Sequence, residues 1–219
     1  MTRLFAFLVM SFVGSHAFAQ AATGSNAPSS VTAEAKNMKP DELVKKVTDD
    51  ILATVKSDKA LAAGDKEKAL KLAEEKVLPL IDFQEATRLA VGRSWREASK
   101  EQQQQLVEQF RRMLVRTYSN ALGRYEGQTM KVLPSHYKPD DTDVTVRNQY
   151  IRPGQKPVEL DYAMHKTDEG WKIYDIVVEG VSLVLTYRSE FDAIVKQNGI
   201  DGLIKRLAEK NTPAPISTK

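Results

Sequence analysis

Asp175 is the residue whose setting most invites a chemical reading. It lies inside IYDIVVEG, an apolar run where a charge is unexpected. A carboxylate in a cone-shaped pocket could act as a general base, as in small isomerases and dehydratases. The same residue could accept backbone hydrogen bonds at a strand bulge, or pair with Arg188, and a structural role is the expectation. Other reactive groups are few. His136 sits in a polar loop beside Pro134, and His165 ends a strand on its polar side. Both are expected to be solvated. Asp140, Asp141 and Asp143 form a short acidic run, but their spacing and the missing glycine do not match a calcium-binding EF-hand loop. There is no HExxH, GxSxG or P-loop pattern. The chain has no cysteine, which excludes disulfides, thiol catalysis and thiolate metal sites. No catalytic, metal or cofactor site is expected.

The elements that would hold Asp175 follow from periodicity. Ser99 to Tyr125 forms a long helical pattern, with Leu106, Phe110, Met113, Leu114, Thr117, Tyr118, Ala121, Leu122 and Tyr125 on one face. Ser99 and Gln102 make a capping box at its start. Such a helix spans about 40 Å and needs an apolar partner of similar length. Arg111, Arg112, Arg116 and Arg124 mark its polar side, a solvated face with a docking surface as the lesser reading. Before it come helices from Pro40 to Lys56, from Asp65 to Val77, and from Asp82 to Val91.

From Gln128 the period changes to two. Met130 and Val132 begin the alternation, followed by Val144, Val146 and Tyr150 and then by Val158, Leu160, Tyr162 and Met164. Trp171 to Val178 is the last strand. Pro153 and Gly154 fit the centre of a type II turn. Ser182 caps a helix carrying Leu183, Tyr187, Phe191 and Ile194, which Gly199 stops, and Asp201 opens a final helix. The order is helices, a meander, then helices. This predicts an α+β fold: a four-stranded twisted antiparallel sheet covered by helices on one face, a cone of NTF2-like shape with an apolar pocket between.

Composition agrees with one globular domain: 219 residues, 42% apolar and 28% charged. The net charge of +3 comes without a concentrated basic run, and nucleic acid is not an expected partner. Arg3, the apolar run Leu4 to Val13 and Ala17-Phe18-Ala19 form a secretory signal peptide, with cleavage after Ala19. That run is too short for a permanent membrane span. Residues 20–37 read as a flexible leader, 38–210 as the domain and 211–219 as a disordered tail. The exported product is expected to be soluble and monomeric.

Two stretches carry a family resemblance. VLPLIDFQEATRLAVGRSWREASKEQQQQLVEQFRRMLVRTYSNAL includes Pro79, Asp82, Phe83, Gly92, Trp95, Gln105, Phe110 and Tyr118. GWKIYDIVVEGVSLVLTYRSEF includes Trp171, Asp175, Val178, Glu179, Gly180, Val181, Ser182, Tyr187, Arg188 and Phe191. Together they resemble the MlaC, or toluene-tolerance, family of periplasmic lipid carriers over residues 40–210. The resemblance implies a non-catalytic carrier of glycerophospholipid. Its partners would be an outer-membrane lipoprotein–porin complex and an inner-membrane ABC transporter complex, and its role the maintenance of outer-membrane lipid asymmetry. It implies no cofactor, the phospholipid being cargo, and a pocket between sheet and helices that buries the acyl chains.

On that reading the lipid-binding set is drawn from three places. The long helix gives Phe110, Met113, Leu114, Tyr118 and Leu122, all directed at the sheet. The strands give Val144, Val146, Tyr150, Leu160, Tyr162 and Met164. The segment after them gives Ile176, Val178, Val181, Val184 and Tyr187. Added bulk at Met113 or Val146 is expected to displace lipid without unfolding the protein. Two other readings remain at this point: a small enzyme using Asp175, and an exported protein-binding module without a ligand.

Overall fold

The computed structural model describes residues 36–118 and 125–212. The expected signal peptide, most of the expected leader, Leu122, Arg124 and residues 213–219 lie outside the described residues. Helix α1 is Pro40–Ser57, with Pro40 in its first turn and Asp41 and Glu42 at its positive end. A four-residue helix, α2 (Lys59–Ala62), follows. Asp58 starts it by accepting the N–H groups of Ala60 and Leu61 at 2.8 and 3.1 Å. Helix α3 is Lys66–Lys76. Asp82 caps α4 (Phe83–Val91) through the Glu85 N–H at 2.8 Å. Ser99 and Gln102 bond reciprocally ahead of α5 (Lys100–Tyr118), at 3.2 and 3.0 Å. These caps satisfy amide donors that a helix start leaves open.

The sheet comprises β1 (Thr129–Val132), β2 (Asp143–Val146), β3 (Asn148–Ile151), β4 (Val158–Thr167), β5 (Gly170–Val178) and β6 (Val181–Ser182). Six segments replace the four expected strands, for two local reasons. First, β2 and β3 lie on one line along the same edge of β4, with Val146 opposite Tyr162 and Gln149 opposite Glu159. Arg147, between them, gives its carbonyl to the Leu133 N–H at 2.8 Å. Second, the chain after β5 pairs back for two residues as β6. All strand pairs are antiparallel, ordered β1-β3-β4-β5-β6 with β2 on β4. Gly154, at φ 73°, occupies the turn where the sequence demanded a positive φ.

The last helix, α6 (Leu183–Asn211), is kinked at Gly199, where φ is 69°. The long-helix pattern ends earlier than expected. Tyr125 is outside any helix, and its N–H binds the Ala62 carbonyl at 3.1 Å.

Two large cores result, beside a small one of Leu61, Ala69 and Leu72 between α2 and α3. Leu43, Val44 and Val47 of α1 pack on Val144, Val146, Met164, Trp171 and Ile173 of the sheet. Ala86, Ala90, Leu106, Phe110, Met113, Val184, Phe191, Leu203 and Leu207 form the second core, among α4, α5 and α6. The long helix therefore buries its face against α6 and α4, not against the sheet as expected. A 3.6-residue stripe fits any apolar partner, and the alanines of α4 let the helices approach closely. The helices are not all on one face either. Helices α4 and α6 meet the sheet at its β5 edge, where Ile81 bridges Ile173 and β6 pairs with β5.

A candidate apolar binding face

The strand registers sort the side chains of the sheet. Met130 and Val132, Val144 to Tyr150 at every second position, Val158 to Met164 likewise, and Trp171, Ile173, Ile176 and Val178 share one face. The alternation stays in phase across β5 because Tyr174 is an extra residue: Met164 faces Ile173 while Ala163 faces Asp175.

This face is covered unevenly. At one end Val144, Val146, Met164, Trp171 and Ile173 are buried under α1. At the other end Tyr150, Val158, Leu160, Tyr162, Ile176 and Val178 are all only half-buried. Burial pushes the Tyr162 phenol up to about 12. The residue as a whole is half-buried. Its hydroxyl reaches only the Met130 sulfur, at 3.8 Å, which also accepts from Thr48 at 3.6 Å.

The helical core has a similar margin. Leu114 and Tyr187 pack against it half-buried, and Tyr118 is half-buried beside them. Burial raises the Tyr187 phenol above its ordinary range, helped by a hydrogen bond with Tyr118. Phe110 sits edge-on to Tyr187 and Phe191, with ring centroids 5.0 and 5.1 Å away.

The sixteen residues singled out from sequence thus divide. Phe110, Met113, Val144, Val146, Met164 and Val184 are fully buried core residues. Leu114, Tyr118, Tyr150, Leu160, Tyr162, Ile176, Val178 and Tyr187 form the half-buried margin. Val181 is exposed. Leu122 is outside the described residues. Val158 belongs on the same open end of the sheet and was omitted from the sequence-based set, although its alternation pointed there.

Asp175 serves structure. Its Oδ1 accepts the N–H groups of Ile176 and Val184 at 2.8 and 3.0 Å, and its Oδ2 accepts the Ser182 hydroxyl. Both oxygens are engaged at the bulge and at the start of α6. No pair with Arg188 forms. The Arg188 guanidinium instead covers Gly92, where a Cβ would lie 3.1 Å from Nε.

His165 departs from the solvated expectation. It is half-buried, bonded through Nε2 to Asp82 Oδ2 at 3.0 Å, and edge-on to Tyr174 at 5.4 Å. Asp82 thereby ties the start of α4 to β4. Asp141 accepts the Lys138 N–H at 2.7 Å and shapes its loop. Among the described residues there is no cluster of three or more histidines and carboxylates suited to a metal. The arginines of α5 are used internally. Arg111 stacks over Phe83, Arg112 pairs with Glu108, and Arg116 donates to the Asn211 carbonyl at 2.7 Å. An open depression lined by Glu42, Lys45, Lys46, Asp49 and Asp50 lies on α1. Its walls carry the ion pairs Lys45–Asp49 and Lys46–Asp50, and no apolar residue lines it.

A meander with an apolar face closed at one end and half-open at the other, flanked by an independent helical core, defines an α+β binding protein without an assembled catalytic centre among the described residues. Residues 45–209 match the family model described as MlaC protein. The chain belongs to that family. It is 22% identical over 180 residues to the intermembrane phospholipid transport system binding protein MlaC of Haemophilus influenzae, covering 81% of this chain and 84% of that one. It is 25% identical over 170 residues to the toluene tolerance protein ttg2D of Pseudomonas putida, covering 74% and 75%. A solved structure of a phospholipid-binding protein from Ralstonia solanacearum, in complex with a phospholipid, is 40% identical. It superposes with a TM-score of 0.73 over 80% of this chain and 97% of that one.

Proposed function

We propose that this protein is a non-catalytic phospholipid carrier that holds acyl chains on the half-open end of its sheet. The observation that carries the reading is the uneven burial of one sheet face, apolar except for the buried Asn148. An ordinary core would close over Leu160, Tyr162, Ile176 and Val178 as it does over Val146 and Met164. Tyr162 fits the same reading, because it is half-buried on this face and burial raises its phenol. The phospholipid in the 40% identical Ralstonia structure supports the class of ligand. The pocket walls in this proposal are the half-buried Leu114, Tyr118 and Tyr187 on the helical side and Tyr150, Leu160, Tyr162, Ile176 and Val178 on the sheet. The exposed Val181 extends its rim.

A magnitude shows how such a pocket works. Two acyl chains carry roughly thirty methylenes, each worth about 0.8 kcal/mol against water. Exposing them would cost on the order of 20 kcal/mol. Passage from a bilayer to an apolar pocket nearly cancels that term. The carrier therefore holds lipid firmly in water and exchanges it at an apolar partner.

The signal-peptide pattern supports a periplasmic location, between an outer-membrane lipoprotein–porin complex and an inner-membrane ABC transporter. In that setting the carrier would help maintain outer-membrane lipid asymmetry. No helix among the described residues is long and apolar enough to cross a membrane. Mass spectrometry of organic extracts from the purified protein tests the proposal. Glycerophospholipid should co-purify in near-stoichiometric amount. Extracts free of lipid, from protein expressed in a Gram-negative host, would refute it.

A further inference from the structure

Among the described residues the large apolar side chains left exposed are Val181 and Leu185, at 38% and 57%. They lie four residues apart. Both follow Val178, the last residue of the half-open face, across the Glu179-Gly180 turn. The apolar face thus continues onto the surface at the start of α6. Leu185 and Arg188 stand three residues apart on the same side of that helix. Arg188 lies over Gly92. Gly92 opens the 3-10 turn Gly92–Arg96, in which Arg93 and Arg96 fall three residues apart and eclipse each other. One corner therefore gathers two exposed apolar groups and three exposed arginines.

The arginines at this corner carry charge that no ion pair neutralises, as several exposed lysines elsewhere do, but here three lie together beside apolar groups. Most charged pairs on the surface are internal: Lys45 with Asp49, Lys68 with Asp58, Arg88 with Glu85, Arg112 with Glu108, Lys196 with Asp192 and Lys210 with Glu190. Arg93, Arg96 and Arg188 form no ion pair with any described residue. Of the neighbouring carboxylates Glu190 binds Lys210, while Glu97 and Glu179 are exposed. Glu179 accepts the Glu159 N–H through one oxygen, so the corner sets three arginines against two exposed carboxylates.

We propose that Val181, Leu185, Arg188, Arg93 and Arg96 form a docking surface for an anionic lipid bilayer. Arginines near such a surface gain from its negative potential, and short apolar groups beside them enter the headgroup boundary. Docking this way brings the rim of the proposed pocket against the membrane. The placement of that rim rests on the lipid-carrier reading, whereas the charge and exposure of the corner do not.

The test is co-flotation of the exported protein with phosphatidylcholine vesicles, with and without added phosphatidylglycerol. The wild-type protein should bind the anionic vesicles, should bind the neutral ones far less, and should dissociate as salt is raised. Each arginine contributes roughly fivefold, and reversing all three in Arg93→Glu/Arg96→Glu/Arg188→Glu should weaken binding at least about a hundredfold. Lys45→Glu/Lys71→Glu/Lys196→Glu changes the net charge equally, using cations paired elsewhere, and should bind much more tightly than the arginine variant. Leu185→Asp should also weaken binding. Co-purified phospholipid and circular dichroism are measured on every preparation. A variant that keeps its lipid and its helicity but loses the vesicles supports docking. Equal binding to both vesicle types, equal loss in the two charge-matched variants, or no wild-type binding overturns the docking surface. Any of these would leave the carrier reading to its own lipid-extraction test.

Discussion

Asp175 accepts the backbone N–H of Val184 at 3.0 Å, so a strand residue fastens the first turn of a helix nine positions later. The bulge at Tyr174 makes this possible. Under unbroken alternation from Ile173, the carboxylate would fall on the apolar face with it. The same carboxylate takes the Ser182 hydroxyl, and that hydroxyl in turn accepts the Leu185 N–H at 2.9 Å. A charge inside an apolar strand is thereby explained by what it ties together.

Asp175→Asn should therefore cost about 1–2 kcal/mol, because hydrogen bonds to a charged acceptor are worth more than those to an amide. Urea denaturation measures the loss. The folded fraction should carry as much phospholipid as the wild type. Discovery of a turnover that Asp175→Asn abolishes at unchanged stability would instead make this residue a general base.

Tyr162 gives a pH-dependent signature. Burial holds its phenol near 12 in the folded protein, against about 10 in an unfolded chain. Between those values the unfolded state releases a proton that the folded state keeps. Stability is full below pH 10 and falls as pH rises from about 10 to about 12, by at most roughly 2.7 kcal/mol from this group. Tyr137 and Tyr187 are also raised by burial and add to the fall. Tyr162→Phe should make the decline shallower by about that amount. An identical alkaline profile for Tyr162→Phe would show that the ring is not held in a low-dielectric site.

Export gives an independent check. Intact-mass measurement of protein recovered from the periplasm should begin at Gln20. A chain retaining Met1 in the membrane fraction would contradict the soluble-carrier reading.

Local features were legible in the sequence because their partners are near in the chain. The Ser99–Gln102 box, the Asp82 and Ser182 caps and the Pro153-Gly154 turn all formed where expected. Asp58 and its four-residue helix were missed, because so short an element shows no period. Long-range choices were not legible. Asp82 and His165 lie 83 residues apart, and nothing in either neighbourhood names the other. The stripe on α5 shows that a face is buried but not what buries it. For the same reason buried core residues and the residues of the proposed pocket shared one list, since Val146 and Leu160 have the same parity and differ in how far they are covered.

That difference decides where added bulk should be tolerated. Met113 and Val146 were the natural sites to test from sequence, but at 4% and 0% exposure they sit in filled cores. Met113→Trp and Val146→Trp should each lose at least the 1–3 kcal/mol typical of overpacking, with lipid content falling only as folded protein falls. Leu160→Trp and Val178→Trp fall on the half-open end, where both side chains are only half-buried. They should cost under about 1 kcal/mol in urea denaturation, because the new ring fills space rather than displacing neighbours. The same ring would occupy the path of an acyl chain, so co-purified phospholipid should drop while circular dichroism stays unchanged. Should Leu160→Trp and Val178→Trp unfold the protein as readily as Val146→Trp does, the open end of the sheet is ordinary core and the acyl chains must lie elsewhere. Full lipid content in both would point to the same conclusion.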